Sequence, residues 1–491
     1  MFLTERRLSV ASVEEILSVG IDIGTSTTSL VISKLKIKNV AGGFSAPKIE
    51  IVEKNIIYRS NVYFTPLIDE KTIDFINLKK LIEEEYKKAK ISPSEIKTGA
   101  VIITGETARK ENAENILDAI SKLAGTFVVA TAGPNLEAYL AGLGAGAANL
   151  SSKTKKSVCN VDIGGGTTNI SVFNEGKLLT TFCANIGGRL IKLSSDYKDV
   201  KLTEVSNYGQ IVLDEGGFKV KKNDKLGLND LIKIAGMLAE SLISILLFRP
   251  NSLAEKLAIG PLPKENLKID AVTFSGGVGR LFYEDDYSND VLWVTRYQDI
   301  GPLLAMELKR NISKLPYEVI KPMETIYATV IGAGVHTTEL SGSTIYISDS
   351  KVLPLKNIPV VKVDDPHGSK AELIEGVKKK LETFKNAEGH LIPALLIPDL
   401  ENVNFEKVKN LAEALFAAVR ISNIPGPIVV ACEEDIGKAL GSILKNLGGN
   451  LYEVISIDEI SVKEGDYIDI GEPLYSGSVV PVILKTLVFS H

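Results

Sequence analysis

Hydrophobic and polar positions in this chain alternate with two periods, and the switching between them predicts a mixed α/β protein. Short apolar runs (GIDIG, SLVIS, IEIVEKNIIY, AVIITG, FVVA) read as strands within the first 150 residues. Between them, FINLKKLIEEEYKKAK sets Leu78, Leu81, Ile82, Tyr86 and Ala89 at helical spacing with Lys and Glu in the gaps, as in a surface helix. ETARKENAENILDAISKLA predicts another helix. TKKSVCNVDIGGG opens a second unit with the same strand–turn–strand start, a weak internal duplication. Inside it, LTEVSNYGQIVLDEGGFKV reads as hairpin strands and DLIKIAGMLAESLISILLF as a buried helix. A stretch rich in Ser, Gly and Pro (341 to 359) leads into a third alternation: VVKVD, a Lys-rich helix to Phe384, PALLIPDL, FEKVKNLAEALFAAVRI, PIVVAC, EDIGKALGSILKNL and terminal strands. The predicted units are residues 1–150, 151–342 and 343–491, and a cut after about Leu340 is expected to leave nucleotide binding in place.

Two Gly/Thr-rich turns carry the candidate chemistry: SVGIDIGTSTTSLVI around Asp22 and NVDIGGGTTNISVF around Asp162. Gly24 in one, and Gly164, Gly165 and Gly166 in the other, lack a Cβ, so successive backbone N–H groups can converge on phosphate oxygens. Thr25, Ser26, Thr27, Thr28, Thr167 and Thr168 add hydroxyl donors. A carboxylate at each strand end suits phosphate only if a hard cation lies between, so Asp22 and Asp162 are expected around Mg²⁺, chiefly through its waters. One such turn is common hairpin geometry. Two, with a third glycine segment downstream, point to a clamp for ATP. In that third segment, AVTFSGGVGRL, a strand ends at Ser275, and Gly276, Gly277 and Gly279 are expected to form a turn ahead of Arg280, a cradle for adenosine.

In this order the three segments resemble the phosphate-1, phosphate-2 and adenosine motifs of the actin/Hsp70/sugar-kinase ATPase superfamily. TAGPNLEAYLAG (131 to 142) and ATVIGAGVHTTEL (328 to 340, with Gly334 counted as a nucleotide contact) resemble its two connecting helices. A narrower resemblance, to the EutA family of ethanolamine ammonia-lyase reactivating factors, rests on LSVGIDIGTSTTSLVIS, TGAVIITGETARKENAENI, NIGGRLIKL and GDYIDIGEPLYSGSVVPVILKTLVF. The resemblance implies two actin-like ATPase (ribonuclease H-like) domains facing a nucleotide cleft, plus a C-terminal α/β domain that grips the lyase. It also implies ATP- and Mg²⁺-driven release of damaged cobalamin from that lyase, with cobalamin handled through the partner and not held as a cofactor. In the chaperone branch a Glu precedes the proline opening the first connecting helix. Here Pro134 follows Gly133, so slow or partner-dependent turnover is expected. Glu106 and Thr104 stand in as candidate water-orienting residues, although Glu106 equally suits a helix N-terminus.

Composition narrows the alternatives. A net charge of −5 leaves no excess of Lys and Arg for nucleic acid; Lys221 with Lys222, and Lys378 to Lys380, read as solvated faces. Three dispersed cysteines without CxxC argue against disulfides or zinc and for a reducing cytoplasm, in which a microcompartment association stays open. MFLTERRLSVASVEEIL lacks the apolar core of a secretory signal, and no apolar stretch is long enough to span a membrane. DDPHGSK begins like a cobalamin-ligand motif around Asp365 and His367, but Lys370 replaces the required glycine, so it reads as a loop. GLGAGAANL reads as close helix packing, not a dinucleotide loop. A small-molecule kinase would need a general base, and no isolated Asp in a motif context lies between Leu30 and Leu150: Asp69, Asp74 and Asp118 read as turn or helix-surface residues. A filament or tethered scaffold would need an amphipathic end, which VVPVILKTLVFSH is not. Oligomeric state is left open.

Overall fold

The computed structural model describes the chain apart from residues 1–12, 25–26, 42–48, 70–71, 104–111, 113–114, 117–118, 121–128, 133, 196–199, 264–266, 289, 337, 343, 389–391, 401–402, 461, 465, 476 and 486–491. Thr25, Ser26, Thr104 and Glu106, and most of the helix expected over ETARKENAENILDAISKLA, lie outside the described residues.

Alternation builds the first lobe. Val13–Ile23 and Thr27–Asn39 form an antiparallel hairpin, flanked by Ile49–Arg59 on one side and by Ile96–Ile103 and Val129–Ala132, both parallel, on the other. Val19, Ile21 and Ile23 alternate inward to meet Leu78, Ile82 and Tyr86 of helix Phe75–Ala89. Asp74 caps that helix by accepting from Asn77 N–H, and Lys90 ends it in the left-handed region.

The second lobe repeats the opening. Val158–Ile163 and Thr168–Asn174 pair as a hairpin, Lys177–Ala184 extends it, and Ala271–Ser275 lies parallel on the far side of Val158–Ile163. Helix Leu228–Leu246 is buried along its length, as its composition predicts, and packs with helix Gly301–Asn311 in the largest apolar cluster. Two expectations are corrected. Asn207–Glu215 is a helix, not a strand: Ser206 accepts from Gly209 N–H as its cap, and Val212 and Leu213 face the core. Gly276–Leu281 is likewise a short helix where a turn was expected.

The expected connecting helices do meet between the lobes. Helix Pro134–Ala145 packs on Ala328–Ile331 and the π-helical Gly332–His336. Their contact needs glycine: a Cβ on Gly144 would fall 1.8 Å from Ala328 O, and one on Gly332 1.9 Å from Leu140 O. GLGAGAANL is thus helix packing.

The third unit has a parallel centre of Leu355–Lys362, Ala394–Ile397, Ile428–Cys432 and Val454–Ile457, with helices Lys370–Glu388, Phe405–Ile421 and Gly437–Gly448 on one face. Its antiparallel edge takes in Tyr467–Ile470, Pro481–Lys485 and Thr338–Leu340, so this sheet begins slightly before residue 343. Leu474 and Val479 reach back to bury Ile16, Val31 and Leu35 of the first sheet, where Tyr475 N–H donates to Glu14 Oε2 at 2.6 Å. His367 stands in a loop, its N–H donating to Asp365 Oδ1 at 3.1 Å. Cys159, Cys183 and Cys432 are buried and unpaired. Among the described residues, no helix is long and apolar enough to cross a membrane.

Candidate functional site: a cleft between two matched hairpins

The two turns have the same internal geometry. Gly24 N–H donates to Thr27 O at 2.8 Å, and Gly164 N–H to Thr167 O at 2.9 Å. Ile23 pairs with Thr28 and Ile163 with Thr168, so Asp22 and Asp162 occupy equivalent ladder positions. Both aspartates line one cavity of about 350 Å³, with Gly24, Thr27, Gly164, Gly165, Gly166, Thr167, Gly276, Gly277 and Arg280. A volume of this size suits a small-molecule site.

Other expected contacts are not in the cleft lining. Thr28 and Thr168 point the other way, because neighbouring strand residues face opposite sides. Thr28 Oγ1 lies 3.1 Å from Thr65 Oγ1, and Thr168 Oγ1 donates to Ile186 O at 2.7 Å, both buried. Gly279 is buried against Phe274, and Gly334 against Gly20 at the lobe junction; their roles are packing.

Asp162 is the end of a buried polar chain. Parallel pairing sets Asn160 beside Thr273 and Asp162 beside Ser275. Thr273 Oγ1 donates to Asn160 Oδ1 at 2.9 Å, Asn160 Nδ2 to Ser275 Oγ at 3.0 Å, and Ser275 Oγ to Asp162 Oδ1 at 2.6 Å. Burial still pushes the Asp162 carboxyl up to about 6, against the opposing pull of the Ser275 hydroxyl. A cation at the carboxylate would offset that cost. Behind it, Gly276 takes φ +83°, and a Cβ there would fall 2.4 Å from Ile163 O, so the third glycine segment can lie directly on the second hairpin.

Several lining residues escape motif reading. Glu137, in the first turn of helix Pro134–Ala145, faces the cleft; its only sequence signal is an acid three residues after Pro134. Arg189 belongs to NIGGRLIKL, whose backbone holds the second turn: Gly188 N–H donates to Gly164 O at 3.2 Å and Arg189 N–H to Gly165 O at 2.6 Å. Phe64, Tyr297 and Asp299 carry no local signal. Tyr297 OH accepts from Arg280 Nη2 at 2.9 Å, and Glu284 takes the other arm at 2.6 Å, so Arg280 is fixed at the cleft wall.

Among the described residues, no three His, Cys, Asp or Glu side chains form a ready metal cage. A pair of carboxylates beside two N–H-rich turns instead fits a hard cation that keeps water and arrives with phosphate oxygens.

Fold and cleft together define a mixed α/β protein in which two matched Gly/Thr hairpins line one cavity. The chain belongs to the EutA family: the family model for ethanolamine utilisation protein EutA matches residues 14–490. It is 38% identical over 475 residues to the ethanolamine ammonia-lyase reactivase EutA of Salmonella typhimurium, covering 97% of this chain and 99% of that protein. Identity to the Escherichia coli reactivase EutA is also 38%, over 476 residues, with the same coverage. Likeness to solved structures is more distant. An Aquifex aeolicus Ppx/GppA enzyme aligns with TM-score 0.37 and 15% identity over 65% of this chain and 98% of that one. The ethanolamine utilization protein EutJ of Carboxydothermus hydrogenoformans aligns with TM-score 0.29 and 15% identity over 65% and 88%.

Proposed function

We propose that this chain is an ATP- and Mg²⁺-dependent reactivating factor for ethanolamine ammonia-lyase, releasing damaged cobalamin so that adenosylcobalamin can rebind. The observation that carries the nucleotide part is the equal register of two turns whose aspartates open into one cavity. The 38% identity to two reactivases, end to end, supports the lyase as partner.

In this reading Gly24, Thr27, Gly164 to Gly166 and Thr167 receive the phosphates, while Gly276, Gly277 and Arg280 flank the nucleoside. Asp22 and Asp162 would hold Mg²⁺, which supplies charge neutralisation at the β- and γ-phosphates. Glu137 joins Glu106 and Thr104 as a candidate for orienting water. The lobes meet at packed glycines, so a nucleotide that prefers one lobe angle biases that angle, and a gripped partner feels the bias. The third unit is the candidate grip.

The test mixes the protein with lyase inactivated by cyanocobalamin, ATP, Mg²⁺ and fresh adenosylcobalamin. Recovered ethanolamine deamination that disappears without ATP is the expected result. No recovery with every component present would overturn the reading.

A further inference from the structure

Arg189 enters the cleft with a guanidinium that is ion-paired to Asp299 and stacked on Phe64 but whose N–H donors are left without a side-chain hydrogen bond among the described residues. Its backbone is tied to Gly165, and its side chain, 21% exposed, lies over the Phe64 ring with 4.9 Å from guanidinium carbon to ring centroid. Asp299 Oδ2 is 3.7 Å from Nε, beyond hydrogen-bond reach, while Asp299 Oδ1 accepts from Gly301 N–H at 2.8 Å. A guanidinium has five N–H donors, yet among the described residues Arg189 makes no side-chain hydrogen bond. Burial lowers its pKa, with Asp299 opposing, but a guanidinium stays charged at any physiological pH.

Phe64 comes from the opposite lobe. It pairs in register with Thr27 of the first hairpin and is 68% exposed, an open aromatic face at the cleft. The contact therefore bridges one phosphate-type turn to the other. A ring beneath a guanidinium leaves the N–H edges free to donate, and a planar fork matches phosphate oxygens.

Building on the nucleotide reading above, we propose that Arg189 reads the terminal phosphate and that Phe64 positions it across the cleft, so that a triphosphate draws the lobes together where a diphosphate does not. Arg189 is the contact residue and Phe64 the positioning residue.

Calorimetry on the full chain with Mg²⁺, comparing ADP with a non-hydrolysable ATP analogue, separates the outcomes. Arg189→Gln is expected to weaken the triphosphate analogue about 10- to 100-fold, the range of charge-assisted hydrogen bonds, and ADP by less than about threefold. Phe64→Leu, which keeps apolar bulk without an aromatic face, is expected to weaken the analogue roughly threefold, and Phe64→Tyr to restore it. Equal losses for both nucleotides in Arg189→Gln, or none, would overturn the role of Arg189. Equal behaviour of Phe64→Leu and Phe64→Tyr would overturn the positioning role. If the unaltered chain binds neither nucleotide, the nucleotide reading itself fails, a result distinct from both.

Discussion

The two hairpins share a register but differ in what supports them. Asp162 ends a buried chain of four polar side chains that includes it, and lies beside a turn held by the backbone of Gly188 and Arg189. Asp22 is half-buried, and its turn is held by the buried Thr65, whose Oγ1 donates to Gly24 O at 2.7 Å. The two copies of the motif are thus held by different neighbours: a buried polar chain and the Gly188–Arg189 backbone at one, and Thr65 among the neighbours of the other.

The largest expected effect tests whether both halves serve one cation. Asp22→Asn and Asp162→Asn should each lower Mg²⁺-dependent nucleotide affinity on the order of 100-fold, as lost metal-site partners do, with folding retained by circular dichroism. Normal affinity in either variant would break the pairing. Unequal support is probed next by denaturant melts. Ser275→Ala removes the donor to a buried carboxylate and should cost about 2 kcal/mol, whereas Thr65→Val should cost about 1 kcal/mol. Equal losses would erase the distinction.

Asp458 in the third sheet separates burial from cation binding. It is buried, Oδ1 has no hydrogen-bond partner, and burial likewise pushes its carboxyl up to about 6, with Asp435 adding to the rise. A carboxyl raised from about 3.9 keeps its proton in the folded chain while the unfolded chain sheds it, so its contribution is complete below about pH 4 and lost as pH rises through 6. Asp458→Asn should therefore stabilise the fold by roughly 2 kcal/mol at pH 8, the gain shrinking from pH 6 towards 4, without changing nucleotide affinity. The smallest effect concerns Gly277, where nothing lies within 4 Å of an added Cβ: Gly277→Ala in its short helix should gain up to about 1 kcal/mol in thermal melts.

What could be read from sequence was what is local. Strand, Asp, glycine turn and strand follow one another within some fifteen residues, so both hairpins, and the third glycine segment behind them, were legible. The helical spacing of Leu78, Ile82 and Tyr86 was equally plain. Thr28 and Thr168 were over-read, although the period-two rule alone sends them away from Thr27 and Thr167. Asn207–Glu215 was misread because apolar Ile211, Val212 and Leu213 in a row suit a strand, while the Ser206 cap that decides for a helix is a single side chain. Phe64, Arg189, Tyr297 and Asp299 reach one cavity only through the packing of separate sheets, and no window of sequence contains that meeting.

Leu474 and Val479 tie the third sheet to the first by packing on Ile16, Val31 and Leu35, so the third unit and the lobe that carries Asp22 share one apolar cluster. In the proposed reading, a partner gripped by the third sheet would be carried by the lobe that holds Asp22, and cutting the chain after Leu340 would uncover the apolar patch at Ile16, Val31 and Leu35.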